Sequence, residues 1–212
     1  MNTTLNRFML AVVGVCALTG SAWAQPDIGG TPIHSEIDYF TGGPWGLDVS
    51  SYVFDEDSTL PDNFSYDLLP GEMLFVYLLD GDDSLDVSVD TFSVGNPNDL
   101  PIGTVGFEDN VVPPGFDIQL YQEPYLFTYS GPAQASVYTY AGDPFDPFST
   151  LDPEEWSLVY YVAESPTWSL GPATASGGGL QDTQDVPVPN VPGPAGLALL
   201  GLAGLAASRR RR

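Results

Sequence analysis

The chain has no lysine, and its long central part has no arginine either. Its 212 residues include five basic residues against 28 acidic ones. All five are arginines near the ends, at positions 7 and 209–212. Residues 25–190 therefore carry −28, rather than the −23 of the whole chain. Binding of nucleic acid, or of phosphate by Lys or Arg, is excluded for this body. Its charge must be screened, which favours a salty or calcium-rich exterior.

Cysteine is almost absent as well. The only one, Cys16, lies in an N-terminal segment with Arg7 before an apolar run over residues 8–18. Ala22-Trp23-Ala24 follows as an A-x-A cleavage site, so residues 1–24 are typical of a secretory signal peptide. We predict that a signal peptidase cleaves after Ala24 and that the mature chain begins at Gln25. The exported chain then has no thiol, so disulfides and cysteine–metal chemistry are excluded.

Catalytic motifs are also missing. His34 is the only histidine, and we expect it to be an exposed loop residue. There is no G-x-S-x-G or H-E-x-x-H motif. Glu154-Glu155, beside Trp156, is the nearest candidate for a glycosidase pair. Adjacent residues of a strand point to opposite faces, however. We predict that the protein is not an enzyme.

What the body does contain is a β pattern: short alternating runs separated by clusters of Gly, Pro, Asn and Asp. The pattern predicts strands at 35–40, 45–54, 73–79, 85–94, 102–107, 116–121, 124–129, 135–141, 156–163 and 167–170. We therefore expect one all-β domain over residues 25–180, an antiparallel, jelly-roll-like β-sandwich with Greek-key connections. A Gly- and Pro-rich linker is expected over 181–194. The glycines 177–179 are also compatible with a last edge strand of the domain, just before this linker.

One acidic loop suggests a cation site. Residues 80–86 read Asp-Gly-Asp-Asp-Ser-Leu-Asp, and alternate carboxylates in a turn can converge on calcium. The candidate ligands are Asp80, Asp82, Asp83 and Asp86. An ordinary hairpin turn explains the same residues and is the favoured interpretation. Calcium is therefore the only cofactor that the sequence suggests.

Aromatic side chains suggest a carbohydrate site in the same domain. Residues 138–148 form a run rich in aromatics, Asp and Pro, in which Phe145, Asp146 and Phe148 are the candidate ligand-binding residues. Trp45, Trp156 and Trp168 remain after leader removal, and for Trp45 and Trp156 we expect core packing instead.

The C-terminal end has three parts. Prolines punctuate residues 187–194, an apolar segment covers 195–207, and Arg209, Arg210, Arg211 and Arg212 follow Ser208. The apolar segment predicts a short membrane-anchor helix, and residues 208–212 predict a basic cytoplasmic tail that stops transfer. Thirteen helical residues span only about 20 Å of a hydrocarbon core of about 30 Å. The segment is therefore a marginal anchor.

This ending resembles the PEP-CTERM sorting signal of Gram-negative bacteria. The matching residues are the motif Val191-Pro192-Gly193-Pro194, the run Leu200-Gly201-Leu202 and the terminal arginines. Gly193 stands where the family usually has Glu. The resemblance covers residues 191–212 and implies processing by an exosortase, a membrane transpeptidase, together with a link to exopolysaccharide production.

Two functions remain open. The first is an exported structural coat protein, tethered to the inner membrane and then sorted to the cell surface or extracellular matrix. The second is a carbohydrate- or calcium-binding sandwich delivered by the same route.

Overall fold

Ten strands form two five-stranded antiparallel sheets in the computed structural model. The structure describes residues 25–41, 46–81, 88–96, 100–130, 135–141 and 150–190. The first sheet has the order β1-β2-β3-β8-β5 and the second the order β10-β9-β4-β7-β6. The strands are β1 His34–Phe40, β2 Leu47–Phe54, β3 Glu72–Gly81, β4 Thr91–Gly95, β5 Ile102–Phe107, β6 Leu126–Ser130, β7 Ala135–Thr139, β8 Trp156–Glu164, β9 Thr167–Gly177 and β10 Leu180–Asn190. The predicted antiparallel β-sandwich is confirmed.

The space between the sheets is filled by alternate residues of the strands, as period-2 side-chain alternation requires. Their side chains form one core cluster that includes Phe40, Leu47, Val49, Phe75, Tyr77, Phe92, Tyr138 and Tyr161. Its rings pack pairwise; Phe75, for example, stacks on Tyr161 at 5.1 Å between ring centroids. A core of aromatic and β-branched side chains thus holds together a domain without thiols.

Two buried tyrosines link the sheets reciprocally. Tyr77 of β3 donates its hydroxyl to the Pro187 carbonyl of β10, at 2.6 Å. Tyr138 of β7 donates to the Tyr160 carbonyl of β8, also at 2.6 Å. Burial, first of all, raises the pKa of both phenols well above 10, so they remain neutral donors.

The outer face of the first sheet carries a second hydrophobic cluster. Outward residues of β2, β3 and β8 are packed under the loops 55–71 and 108–125. Glu108 joins these loops although only 1 % of it is exposed, because it accepts hydrogen bonds from the Ser65 and Asn110 N–H groups at 2.6 and 3.0 Å. Burial raises its pKa, but these bonds outweigh burial and leave the pKa lowered.

The C-terminal part of the sandwich extends further than expected. Residues 181–190, assigned to a linker from their composition, belong to β10 and pair with β9 throughout. Gly178 and Gly179, both at positive φ, form the tight turn between the two strands. β10 is an edge strand of its sheet, and Pro187 and Pro189 are tolerated there because none of the other described strands pairs with its free edge.

Two local expectations were wrong. The predicted strand at 116–121 is a 3₁₀ turn, Ile118–Leu120, capped by the Asp117 carboxylate, which accepts from the Gln119 N–H. His34 is not an exposed loop residue, because it begins β1 and stacks on Trp168 at 4.0 Å between ring centroids. Its Nε2 lies 3.4 Å from a carboxylate oxygen of Glu36.

Candidate ligand cleft

Four side chains form a row across the first sheet at one of its ends. Tyr39 pairs with Asp48, Asp48 with Asp80, and Asp80 with Trp156 in the strand register. Residues directly opposite across antiparallel strands have Cβ atoms about 5 Å apart and share a face. Since Leu47, Val49 and Leu79 point into the core, this row lies on the outer face. Two carboxylates are therefore adjacent, with an aromatic ring on each side.

The row borders a cleft of about 820 Å³, which is within the usual size range of small-ligand sites. The N-terminal Pro26, the loop 114–120 and the turn before β8 supply its other walls. Asp117 and Glu154 add two further carboxylates to the lining. Tyr39, 46 % exposed, presents the most open aromatic ring. The described lining has no cationic side chain.

Trp156 supports the cleft from below and is not itself a binding platform. Only 1 % of it is exposed, and its indole N–H donates to the Asp117 carbonyl at 2.8 Å. Phe116 and Tyr121 pack edge-on against it, at 5.5 and 4.9 Å between ring centroids. These contacts fix the loop 114–120 over the sheet. Trp156 is buried, as expected, but it packs in the outer cluster and not in the core between the sheets.

The turn before β8 places Glu154 at the rim. Glu154 has φ 74°, a left-handed conformation that non-glycine residues rarely adopt. The turn is closed by the Glu155 N–H donating to the Asp152 carbonyl at 3.0 Å. It is fastened to β3 because the Gly81 N–H donates to the Glu155 carbonyl at 2.9 Å. A Cβ on Gly81 would lie 2.6 Å from the Asp152 carbonyl oxygen, so this approach requires glycine.

Two partly buried carboxyl groups, one in this turn and one on β1, have raised pKa values. Burial raises the pKa of Glu155, with the Asp152 carboxylate as a further cause. On β1, burial raises the pKa of Asp38 to about 6, assisted by the charges of Glu36 and Asp185. One oxygen each of Glu36 and Asp38 is buried without a hydrogen-bond partner among the described residues. Neighbouring carboxylates thus add to the effect of burial on the pKa of both groups.

This arrangement suits a particular ligand chemistry. Carboxylate oxygens accept hydrogen bonds, and aromatic rings offer apolar faces. Anionic ligands are disfavoured by the carboxylates in the lining. A neutral or cationic ligand rich in hydrogen-bond donors fits the cleft.

The sequence-predicted site residues are only partly within the described structure. Asp80 lies in the cleft row, and Gln25 anchors the N-terminal segment by donating to the Glu36 and Ser51 carbonyls, both at 3.1 Å. The other predicted site residues lie outside the described residues: Ala22, Ala24, Asp82, Asp83, Asp86, Phe145, Asp146, Phe148, Val191, Pro192, Gly193, Pro194, Arg209, Arg210, Arg211 and Arg212. Trp45 lies outside them too.

Sequence reasoning missed Tyr39, Asp48 and Asp117 as neighbours of Asp80. The pairing register brings Tyr39 and Asp48 to Asp80, and no local spacing encodes register between strands. The one available signal is that Asp48 and Asp80 each lie beside apolar residues near one end of a strand.

Over the described ranges, no group of three or more His, Cys, Asp or Glu side chains is placed to hold a metal ion. Within the same ranges, no helix has the length and apolar character needed to cross a membrane. No protein-family model, curated protein or solved structure matches the chain.

Proposed function

We propose that this protein is an exported, acidic component of the cell surface or extracellular matrix, with a structural coat role linked to exopolysaccharide. In this proposal a signal peptidase removes residues 1–24, and an exosortase-type enzyme acts at Val191–Pro194. The apolar segment 195–207 and Arg209–Arg212 hold the precursor in the inner membrane until then. We further propose that the sandwich connections are jelly-roll-like.

The observation that supports the proposal is how far β10 extends towards the sorting motif. β10 continues to Asn190, the residue immediately before the sorting motif. Ser165 fastens this end by accepting from the Asn190 N–H at 3.2 Å and donating to the Asn190 carbonyl at 3.0 Å. At most four residues, 191–194, therefore separate β10 from the apolar segment. A precursor tethered in this way has its body directly beside the membrane.

The tether also orients the body. Asn190 pairs with Thr167 near the β8–β9 connection, whereas the cleft row lies at the opposite end of β3 and β8. A body anchored through Asn190 would therefore turn the cleft away from the membrane.

The proposal is tested by cell fractionation of three chains in a bacterium that encodes an exosortase. The natural chain should leave the inner membrane and reach the surface or medium. A chain with all four terminal arginines changed to alanine should fail to be sorted, because its stop-transfer signal is lost. A Gly193→Glu chain, which carries the usual family residue, should be sorted at least as well as the natural chain. Equal distribution of the natural and arginine-free chains would contradict the proposal.

A second candidate function is carbohydrate binding in the cleft, favoured by the row Tyr39–Asp48–Asp80–Trp156. Asp48→Asn keeps the side-chain size but removes a charged acceptor, so it should weaken glycan binding on an array about tenfold, a cost of about 1.4 kcal/mol. Asp57→Asn, at an exposed aspartate outside the cleft, is the matched control. If calcium is the ligand instead, millimolar calcium should raise the melting temperature more than magnesium does. Identical glycan binding by both variants would exclude the cleft as the carbohydrate site.

A further inference from the structure

The outer face of the second sheet is rich in hydroxyl groups. Its strand register aligns two rows of five residues, each row crossing all five strands. Both rows alternate with core residues such as Ala175, Phe92 and Tyr138, and hence point outward. The first row is Gln181, Ser176, Thr91, Thr139 and Leu126, and the second is Thr183, Thr174, Ser93, Val137 and Thr128. We call these ten residues the hydroxyl face.

Seven of the ten carry a hydroxyl group and none carries a carboxylate. Such a neutral area is unusual in a body that bears −28. Neighbouring hydroxyls already interact, since the Thr174 and Thr183 Oγ1 atoms are 2.9 Å apart and the Ser93 Oγ donates to the Thr174 carbonyl at 3.3 Å. Adjacent strands repeat every 4.8 Å or so, and the two rows lie about 6.8 Å apart. The result is a regular array of donors and acceptors.

The two outer faces differ in their covering. Loops 55–71 and 108–125 pack over the first sheet and bury an apolar cluster there. Among the described residues, no comparable cluster covers the hydroxyl face. All ten of its residues are half-buried or exposed, as expected for a sheet face that contacts solvent.

We propose that the hydroxyl face binds a neutral polysaccharide. Its hydroxyls both donate and accept hydrogen bonds, and so do the hydroxyls of a sugar polymer. An anionic polymer would meet the field of the whole body with no basic side chain to receive it, and a cationic one would prefer the carboxylates elsewhere. A neutral chain avoids both problems, and contacts repeated along it add through multivalency.

The strongest alternative occupant is a second copy of this chain. Two bodies of −28 each repel one another, and the face has few large apolar side chains to offset this. Leu126 is 53 % exposed, but its neighbours within the face are Thr139 on β7 and Thr128 on its own strand. Self-association through this face is therefore disfavoured, and it is one outcome of the experiment below.

The experiment uses the full chain, purified in detergent and mixed with insoluble cellulose, chitin, curdlan or mannan. The natural chain should sediment with at least one of these neutral polymers, and retention should not weaken at high salt, because no ion pair is involved. It should not be retained on alginate, an anionic polymer. Ser93→Glu places an unpaired carboxylate at the centre of the face and should lower retention about tenfold or more, the equivalent of 1.4 kcal/mol or so.

Ser35→Glu is the matched control, because Ser35 is an exposed residue of β1 in the other sheet. It introduces the same charge and should leave retention unchanged. Thr183→Glu, on the exposed edge strand β10, replaces Ser93→Glu if that variant does not fold. Asp48→Asn should not affect retention, which separates this face from the cleft.

Three results would overturn the inference. One is no retention on any of the neutral polymers, and another is equal retention of Ser93→Glu and Ser35→Glu. The third is a dimer, seen by sedimentation velocity without polymer, that Ser93→Glu dissociates. The inference shares with the proposed function an extracellular setting and an association with polysaccharide, but it does not depend on C-terminal sorting. Failure to bind polymer with correct sorting would remove this inference alone, whereas failure of sorting would leave the binding result unaffected.

Discussion

Asp48 on β2 and Asp80 on β3 stand directly opposite one another on the outer face of the first sheet. Like charges that face one another across two strands repel, and residues 25–190 contain no lysine or arginine. The aromatic neighbours Tyr39 and Trp156 complete the row.

Neutralising one member of this pair should stabilise the protein. Asp48→Asn should raise the free energy of unfolding by about 0.5–1 kcal/mol at neutral pH and low salt. Salt screens the repulsion, so the gain should shrink as ionic strength rises. Urea denaturation at several salt concentrations measures both effects, with Asp57→Asn as the control. Destabilisation by Asp48→Asn at low salt would show that the pair is not repulsive.

Trp156 should be the tryptophan on which the cleft depends most. Trp156→Phe removes the hydrogen bond to the Asp117 carbonyl and part of a buried ring. It should lower the free energy of unfolding by about 2 kcal/mol. Trp168→Phe is the control, because Trp168 is only half-buried and stacks on His34. A control variant as unstable as Trp156→Phe would contradict the supporting role assigned to Trp156.

Protonation of Asp38 should make the folded protein more stable in mild acid than at neutral pH. Burial, then Glu36 and Asp185, raise its pKa to about 6 from 3.8. The folded state therefore holds this proton more tightly than the unfolded state, and stability should rise as pH falls from about 7 towards 4. Asp38→Asn should be more stable than the natural chain at pH 7.5 and should show a smaller rise on acidification. Thermal unfolding across this pH range measures the slopes; identical slopes would rule out Asp38 as their source.

Protonation of Glu108 should have the opposite effect and lower the stability of the folded protein in acid. Its hydrogen bonds outweigh burial and lower its pKa, so the stabilisation it provides is present at neutral pH and is lost as pH falls through the folded-state pKa. Ser65 and Asn110 donate to different oxygens of Glu108, so in Glu108→Gln the new amide NH2 group must face one of these two N–H groups, and that hydrogen bond is lost. This substitution should lower the free energy of unfolding by about 1–3 kcal/mol at pH 7. Asp109→Asn, at the exposed neighbouring residue, serves as the control in the same urea titrations.

The fold class could be predicted from the sequence because alternation and turn residues are local signals. The strands at 73–79, 102–107 and 156–163 match β3, β5 and β8 within a few residues. β10 could not be predicted from the same signals, because its small polar residues and its two prolines are typical of a linker. Only its position at the edge of the sheet makes prolines acceptable there.

Among the residues of the cleft row, only Asp80 could be predicted as a site residue from the sequence. Asp80 was selected for its acidic neighbours along the chain, yet its partner in the cleft is Asp48, 32 positions earlier. Trp156 was recognised as a packing residue, but its contact with Asp117 depends on a loop that folds back over the sheet. Register and loop placement are set by tertiary packing, which a single sequence does not encode locally.

The intact mass of the protein recovered from the surface or medium of an exosortase-bearing bacterium is the most direct measurement. It should correspond to a chain that begins at Gln25 and has lost the apolar segment 195–207 together with Arg209–Arg212. Recovery of the complete 212-residue chain, or of a chain that retains Arg209–Arg212, would contradict export followed by C-terminal sorting.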